Sequence, residues 1–187
     1  MTRLSTLGAS MIAATIALGG AAFAQNTMVG GAEMLPDRTI VENASQSADH
    51  TTLVAAVQAA GLVETLSGPG PFTVFAPTNA AFAKLPEAAV EDLLKPENKD
   101  TLTQVLTCHV VAADAMSPAI GKMIMDDGGS HVVNTVGGCK LTASIDATTN
   151  ALKLTDENGT VATVTIPDVD QSNGVVHVID TVLMPKM

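Results

Sequence analysis

The chain has 187 residues, 47% hydrophobic and 15% charged, which is enough apolar material for one domain with its own core and too much for a disordered polar chain. Nine basic residues face 19 acidic ones, and a net charge of −10 repels phosphate backbones and argues against nucleic-acid binding. Aromatic residues make up 2%, with no Trp and no Tyr, so base-stacking platforms and aromatic cages lack their raw material.

In chain order, Met1–Arg3 gives a positive start and Leu7 to Ala22 an Ala-rich apolar stretch. Ala22-Phe23-Ala24 then reads as a small-x-small cleavage site, which predicts a secretory signal peptide over residues 1–24. Beyond it no apolar run approaches the roughly 20 residues of a membrane span, and no Cys follows until Cys108. The expected product is released, secreted or periplasmic, with no membrane insertion. Residues 25–38 are rich in Gly, Met and polar side chains and are expected to be a flexible lead-in. Ile40, Val41 and Ala44 make a first helical turn. Asp49 is placed to cap a helix carrying Leu53, Ala56, Val57 and Ala60, and Gly61 to stop it. In the turn Ser67–Pro71, prolines remove the N–H groups that a phosphate cradle would use.

Phe72–Ala76 reads as a strand stopped by Pro77, with Thr78 or Asn79 capping a helical turn from Ala80. Glu87–Leu94 is a short amphipathic helix. Leu102, Val105, Leu106 and His109 recur at helical spacing, which puts His109 on a buried side. From Met123 onward the chain shows short β-rich runs. Leu152–Thr155 and Val161–Ile166 form a predicted hairpin, and Val175–Leu183 is apolar enough for a strand covered on both faces. Helices first and strands after, with one early strand, predict a single α+β domain over residues 39–187.

Catalytic patterns are missing: there is no GxSxG, HExxH or Walker A sequence, and neither a catalytic residue nor a cofactor is assigned. His50, His109, His131 and His177 lack metal-ligand spacing with a carboxylate. Asp168–Gly174 looks superficially like a calcium loop, but Asn173 stands where the turn glycine belongs and Ile179 where the bidentate Glu belongs. Met116, Met123, Met125 and His131 lie close in sequence, and such side chains can hold Cu(I). A periplasmic copper or small-molecule carrier using segment 116–131 is therefore the alternative reading. The plainer one has these Met residues filling core gaps or lying in a loop. The cysteine pair Cys108 and Cys139 in an exported chain suggests one disulfide, with two buried thiols as the other possibility.

Two segments carry a family resemblance. Thr73-Val74-Phe75-Ala76-Pro77-Thr78-Asn79-Ala80-Ala81-Phe82 resembles the first signature of the fasciclin domain, and Asn173-Gly174-Val175-Val176-His177-Val178-Ile179-Asp180 with the following Thr181–Pro185 resembles the second. Leu106–Val111 matches the helical segment between them, and the likeness spans Thr39–Pro185. The resemblance implies a twisted β wedge with helices packed on it. It also implies a non-enzymatic adhesion role toward a cell-surface or matrix protein or carbohydrate. Thr73, Phe75, Pro77, Thr78, Asn79, Phe82, Asn173, Gly174, His177 and Asp180 are then expected chiefly to hold the fold.

Two adhesion motifs of animal relatives can be placed residue by residue. In a Tyr-His pair, Cys108 replaces the Tyr and His109 is kept, which suggests reuse of the position for a bridge to Cys139. In an acidic-Pro-Asp-Ile-Met stretch the chain reads Ile166-Pro167-Asp168-Val169-Asp170. The candidate contacts are Asp168, Val169 and His109, the alternative for the second motif being a turn that positions the last strand. As contacts, they carry the expectation that Asp168→Ala weakens attachment at unchanged thermal stability.

Overall fold

The computed structural model describes residues 26–186, and the predicted signal peptide lies outside them. Two short strands, β1 (Met28–Val29) and β2 (Ala32–Glu33), open the described chain and pair antiparallel. Helix α1 (Ile40–Ala44) starts at Thr39, which forms a reciprocal capping box with Glu42. A 3-10 turn (Ala48–His50) leads into α2 (Thr51–Ala60) and α3 (Val63–Ser67). The expected cap, Asp49, gives way to Ser47, whose hydroxyl accepts from the Asp49 N–H at 3.3 Å. α2 buries Leu53, Ala56, Val57 and Ala60 and ends at Gly61 in the left-handed region, as its spacing predicts.

Strand β3 (Phe72–Pro77) follows, then α4 (Asn79–Phe82), N-capped by Thr78, and α5 (Glu87–Leu93). A 3-10 turn (Pro96–Asn98) precedes α6 (Lys99–Thr107). The remainder is β4 (Val110–Val111), α7 (Ser117–Asp126), β5 (Ser130–Asn134), β6 (Lys140–Ile145), β7 (Leu152–Thr155), β8 (Val161–Gln171) and β9 (Gly174–Ile179).

Seven strands form one sheet in the order β4-β3-β9-β8-β7-β6-β5. The last strand therefore sits inside the sheet, parallel to β3 on one side and antiparallel to β8 on the other. The β3–β9 register runs from Phe72↔Gly174 to Pro77↔Ile179, so the two signature segments are direct neighbours. Gly174 is required there: at φ +152°, an added Cβ would fall 1.9 Å from the Phe72 carbonyl oxygen.

Both faces of this pair are covered. Val74 and Ala76 point into a core shared with α1, α2, α3, α4 and α6, while Phe75 and Ile179 point into a second core with α7 and β6–β8. Period-two alternation divides one strand between two cores, which is why both runs read as continuously apolar. The outer strands β6 and β7 alternate buried and open positions, as one-sided strands do. The fold is α+β, and the hairpin β7–β8 stands where the sequence predicts it.

Two expectations need correction. Residues 28–34 are not a loose lead-in but a hairpin that buries Val29 and Met34 against Val169 and Val178. Gly30 and Gly31 both have positive φ, the requirement of a tight two-residue hairpin turn, so the glycines mark a turn. Asn43, fully buried, fastens the segment by exchanging hydrogen bonds with both backbone groups of Leu35. Second, Met123 and Met125 lie in helix α7, which starts at Ser117-Pro118 and buries Ile120 and Ile124 at i, i+4. Proline in a first turn is a helix-start signal, and it outweighs the β-prone residues downstream.

Candidate functional site

Strand β8 contains Pro167, which has no N–H to give a ladder, and its register with β9 shifts between Val164, Ile166 and Val169. At this irregularity Asp168 takes a left-handed φ of +56°. Its N–H, released from the ladder, donates to His177 Nδ1 at 3.1 Å. Its carboxylate crosses to helix α7, accepting the Ser117 N–H at 2.6 Å and the Ser117 hydroxyl. The N-cap residue of α7, Met116, has no capping side chain. Asp168 therefore caps that helix from another strand, with a negative charge at the end where the dipole favours one.

His177 is the hub beneath. Its Nε2–H donates to the Ala115 carbonyl at 2.8 Å, so the Asp168 N–H meets the unprotonated Nδ1. The ring stacks on Phe75 at 5.6 Å. Burial lowers its pKa, partly offset by the Ala115 carbonyl and the Asp168 charge. Thr73 Oγ1 donates to Ala113 O at 2.6 Å and accepts the Ala115 N–H at 2.9 Å. Together these groups fasten the loop after β4 to the central strands.

The other signature residues are spent in the same way. Asn173 accepts the Ile40 N–H and donates to Leu66 O and Gly68 O, clamping α1 and α3 to the start of β9. Asn79 accepts the Thr52 N–H at 3.0 Å and donates to Ala48 O at 2.9 Å. Thr78 caps α4, and Phe82 and Pro77 are buried. Asp180 accepts the Thr163 N–H at 2.8 Å and pairs with Lys84 at 3.3 Å. Desolvation raises the Asp180 pKa, but these hydrogen bonds and Lys84 outweigh it and leave it lowered.

The three candidate contacts fare differently. Val169 is 1% exposed and packs on Val29 and Val178, so it offers a partner no contact area. His109 is 2% exposed. Its Nδ1–H donates to Val105 O and its Nε2 accepts the Leu183 N–H, tying helix α6 to the chain end. As partner contacts both are therefore corrected to interior groups: helical spacing already places His109 inward, whereas Val169 is covered by the β1–β2 hairpin, an element distant in sequence. Asp168 keeps a side chain 32% exposed and, with Asp170, lines a shallow surface pocket of about 190 Å³ beside the hairpin.

Cys108 and Cys139 are joined as a disulfide, with Cα atoms 5.3 Å apart. The bridge holds the end of α6 to the start of β6, where Gly137 N–H also donates to Thr107 O. Of the Met/His segment, Met123 and His131 border one surface cleft, and Met125 lies apart from them. Met123 and Met125 are two positions apart on a helix, roughly 200° around the axis, and Met125 is 70% exposed. His131 is engaged by Asp127 at 2.6 Å. Among the described residues no helix is long and apolar enough to cross a membrane.

The family model described as Fasciclin domain matches residues 48–185. The chain belongs to the fasciclin domain family. Protein sll1483 of Synechocystis is 49% identical to it over 150 residues, 80% of this chain and 74% of that one. The immunogenic protein MPB70 of Mycobacterium bovis is 38% identical over 149 residues, 76% of this chain and 66% of that one. The transforming growth factor-beta-induced protein ig-h3 of Sus scrofa is 38% identical over 133 residues, 71% of this chain but 17% of that longer one. The fold is similar to that of a FAS1 domain pair from the insect cell adhesion molecule fasciclin I, with a TM-score of 0.69 at 18% identity. That match covers 81% of this chain and 51% of the pair. In this fasciclin domain the polar signature residues are thus hydrogen-bonded within the fold, and what sequence reading missed is Ser117, the partner that Asp168 caps.

Proposed function

We propose that the chain is an exported, non-enzymatic adhesion module that binds a protein or carbohydrate on a cell surface or in a matrix. The observation that carries this reading is the match of nearly the whole folded chain to the fasciclin domain, a fold also found in a cell adhesion molecule. The name of a further relative, the cell surface glycolipoprotein MPB83 of Mycobacterium bovis, 42% identical over 124 residues, is in keeping with an address outside the cell. The signal peptide expected over residues 1–24 would deliver the chain there, secreted or periplasmic. Because the signature side chains are committed to the fold, contacts fall to groups that keep open surface, the exposed Asp170 and the half-buried Asp168 beside it, and to open strand edges. Such contacts are individually weak and gain strength when many copies are displayed together.

A strain lacking the protein is expected to attach to surfaces less well than its parent and to recover when the gene is restored. Attachment unchanged in the deletion strain would overturn the proposal.

A further inference from the structure

The seven-stranded sheet curls until its end strands, β4 and β5, approach each other. One hydrogen bond joins the two edges: Val136 N–H donates to the Val110 carbonyl at 2.8 Å. Beyond it the edges part around a cleft of about 410 Å³, floored by Phe75, Ile120 and Met123 and walled by Val111 on one side and Val132 on the other.

The backbone decides what this cleft can hold. Thr135 N–H donates away from it, to the Cys139 carbonyl at 3.0 Å. Peptide groups alternate along a strand, so Ser130, Val132 and Asn134 turn their N–H and C=O groups the same way as Val136, into the opening. Among the described residues β5 pairs only with β6, which leaves that row without a ladder partner. Edge strands are ordinarily guarded by Lys, Pro or a bulge. Ser130-His131-Val132-Val133-Asn134 carries none of these, and Val132 and Val136 are 50% and 52% exposed.

We propose that this cleft binds an extended segment of a partner protein, which adds to β5 as a further strand. A row of alternating amide donors and acceptors is satisfied as a set by another extended backbone, and the apolar floor takes its alternate side chains. Among the described residues no Lys or Arg lines the cleft; Asp114 stands exposed between the lining residues Ala113 and Ala115, and Asp127 holds the lining His131. This acidic rim selects a segment carrying Lys or Arg and opposes a second copy of this chain, itself at net charge −10. The proposal rests on the adhesion reading only for the partner being a surface protein.

The test titrates a blocked synthetic peptide of alternating valine and threonine, flanked by lysines, into isotope-labelled protein observed by amide NMR. Shifts are expected at Ser130–Val136 and Val110–Ala115, with exchange of the Val132 and Asn134 amides slowed at least about tenfold. The same peptide N-methylated at alternate residues is expected not to bind, and Val132→Pro, which removes an outward N–H and no inner ladder bond, is expected to abolish binding of the unmodified peptide. Shifts centred elsewhere, equal binding of the N-methylated peptide, or no shifts at all would overturn the proposal, as would dimerisation through β5 in place of peptide binding. If Val132→Pro does not fold, the comparison of the two peptides decides alone. A negative result with a poorly attaching deletion strain removes the cleft and leaves adhesion standing. A normally attaching deletion strain removes adhesion whatever the peptide does.

Discussion

Asp168 does three things through one residue. It breaks the β8 ladder after Pro167, gives its N–H to a buried histidine and caps a helix with its carboxylate. Alanine would remove both acceptors for Ser117 and place a side chain with no local hydrogen bond at φ +56°. Asp168→Ala is therefore expected to lose about 1–3 kcal/mol of stability. Asp168→Asn, which keeps an acceptor and tolerates the left-handed region, should lose less. Urea unfolding followed by far-UV circular dichroism checks this, since a chain without Trp or Tyr gives little near-UV signal. Equal midpoints for Asp168→Ala and the parent would rule out the capping role. A drop in stability also means that weaker attachment by this variant does not by itself make Asp168 a contact. Pro167 was readable as a ladder break, but Ser117 lies 51 residues away and no local pattern couples the two.

Among the elements, neutral buried histidines act as pins. His109 joins α6 to the chain end, His177 joins β9 to the loop before α7, and His50 bonds Ser47 at the entry to α2. Burial lowers the pKa of all three, that of His109 from 6.5 to about 4. The unfolded chain then binds protons before the folded one does. Stability is complete above pH 6.5 and is lost as pH falls toward about 4, by roughly 3 kcal/mol for His109 alone. Asp180 acts in the same direction at lower pH, because its lowered pKa favours the folded state until the carboxylate protonates. Thermal melts from pH 7 to pH 4 should therefore show a falling midpoint, and His109→Gln should flatten the curve. A midpoint constant across this range would contradict the account. Helical spacing had already put His109 on an inward face. The β1–β2 hairpin was harder to see, because Gly30-Gly31 has the composition of a linker and its turn geometry shows only when Val29 and Met34 find Val169 and Val178 to cover.

For the whole molecule, the decisive fact is that the last strand is an inner one. β9 supplies a face to both main cores and pairs on both edges, so the helices of the first half have no finished surface to pack on without it. A chain ending at Asn173 is expected to show no cooperative unfolding transition by circular dichroism, whereas a two-module protein would keep a folded first half. Retention of a sharp transition in that truncation would disprove the single-domain arrangement.

The helical character of residues 40–107, the β7–β8 hairpin, the doubly covered character of Val175–Leu183 and membership of the fasciclin family were legible in the residues themselves. Periodicity, caps and turn residues are local, and the two signatures are contiguous. Which polar side chains face water was settled only by tertiary structure. Asn173 finds Ile40 across 133 residues and Asp168 finds Ser117 across 51, and a side chain's exposure depends on elements that arrive from that far away. The curl that opens a cleft between β4 and β5 is likewise a property of the assembled sheet, because strand order and twist arise from pairing and are written in no single strand.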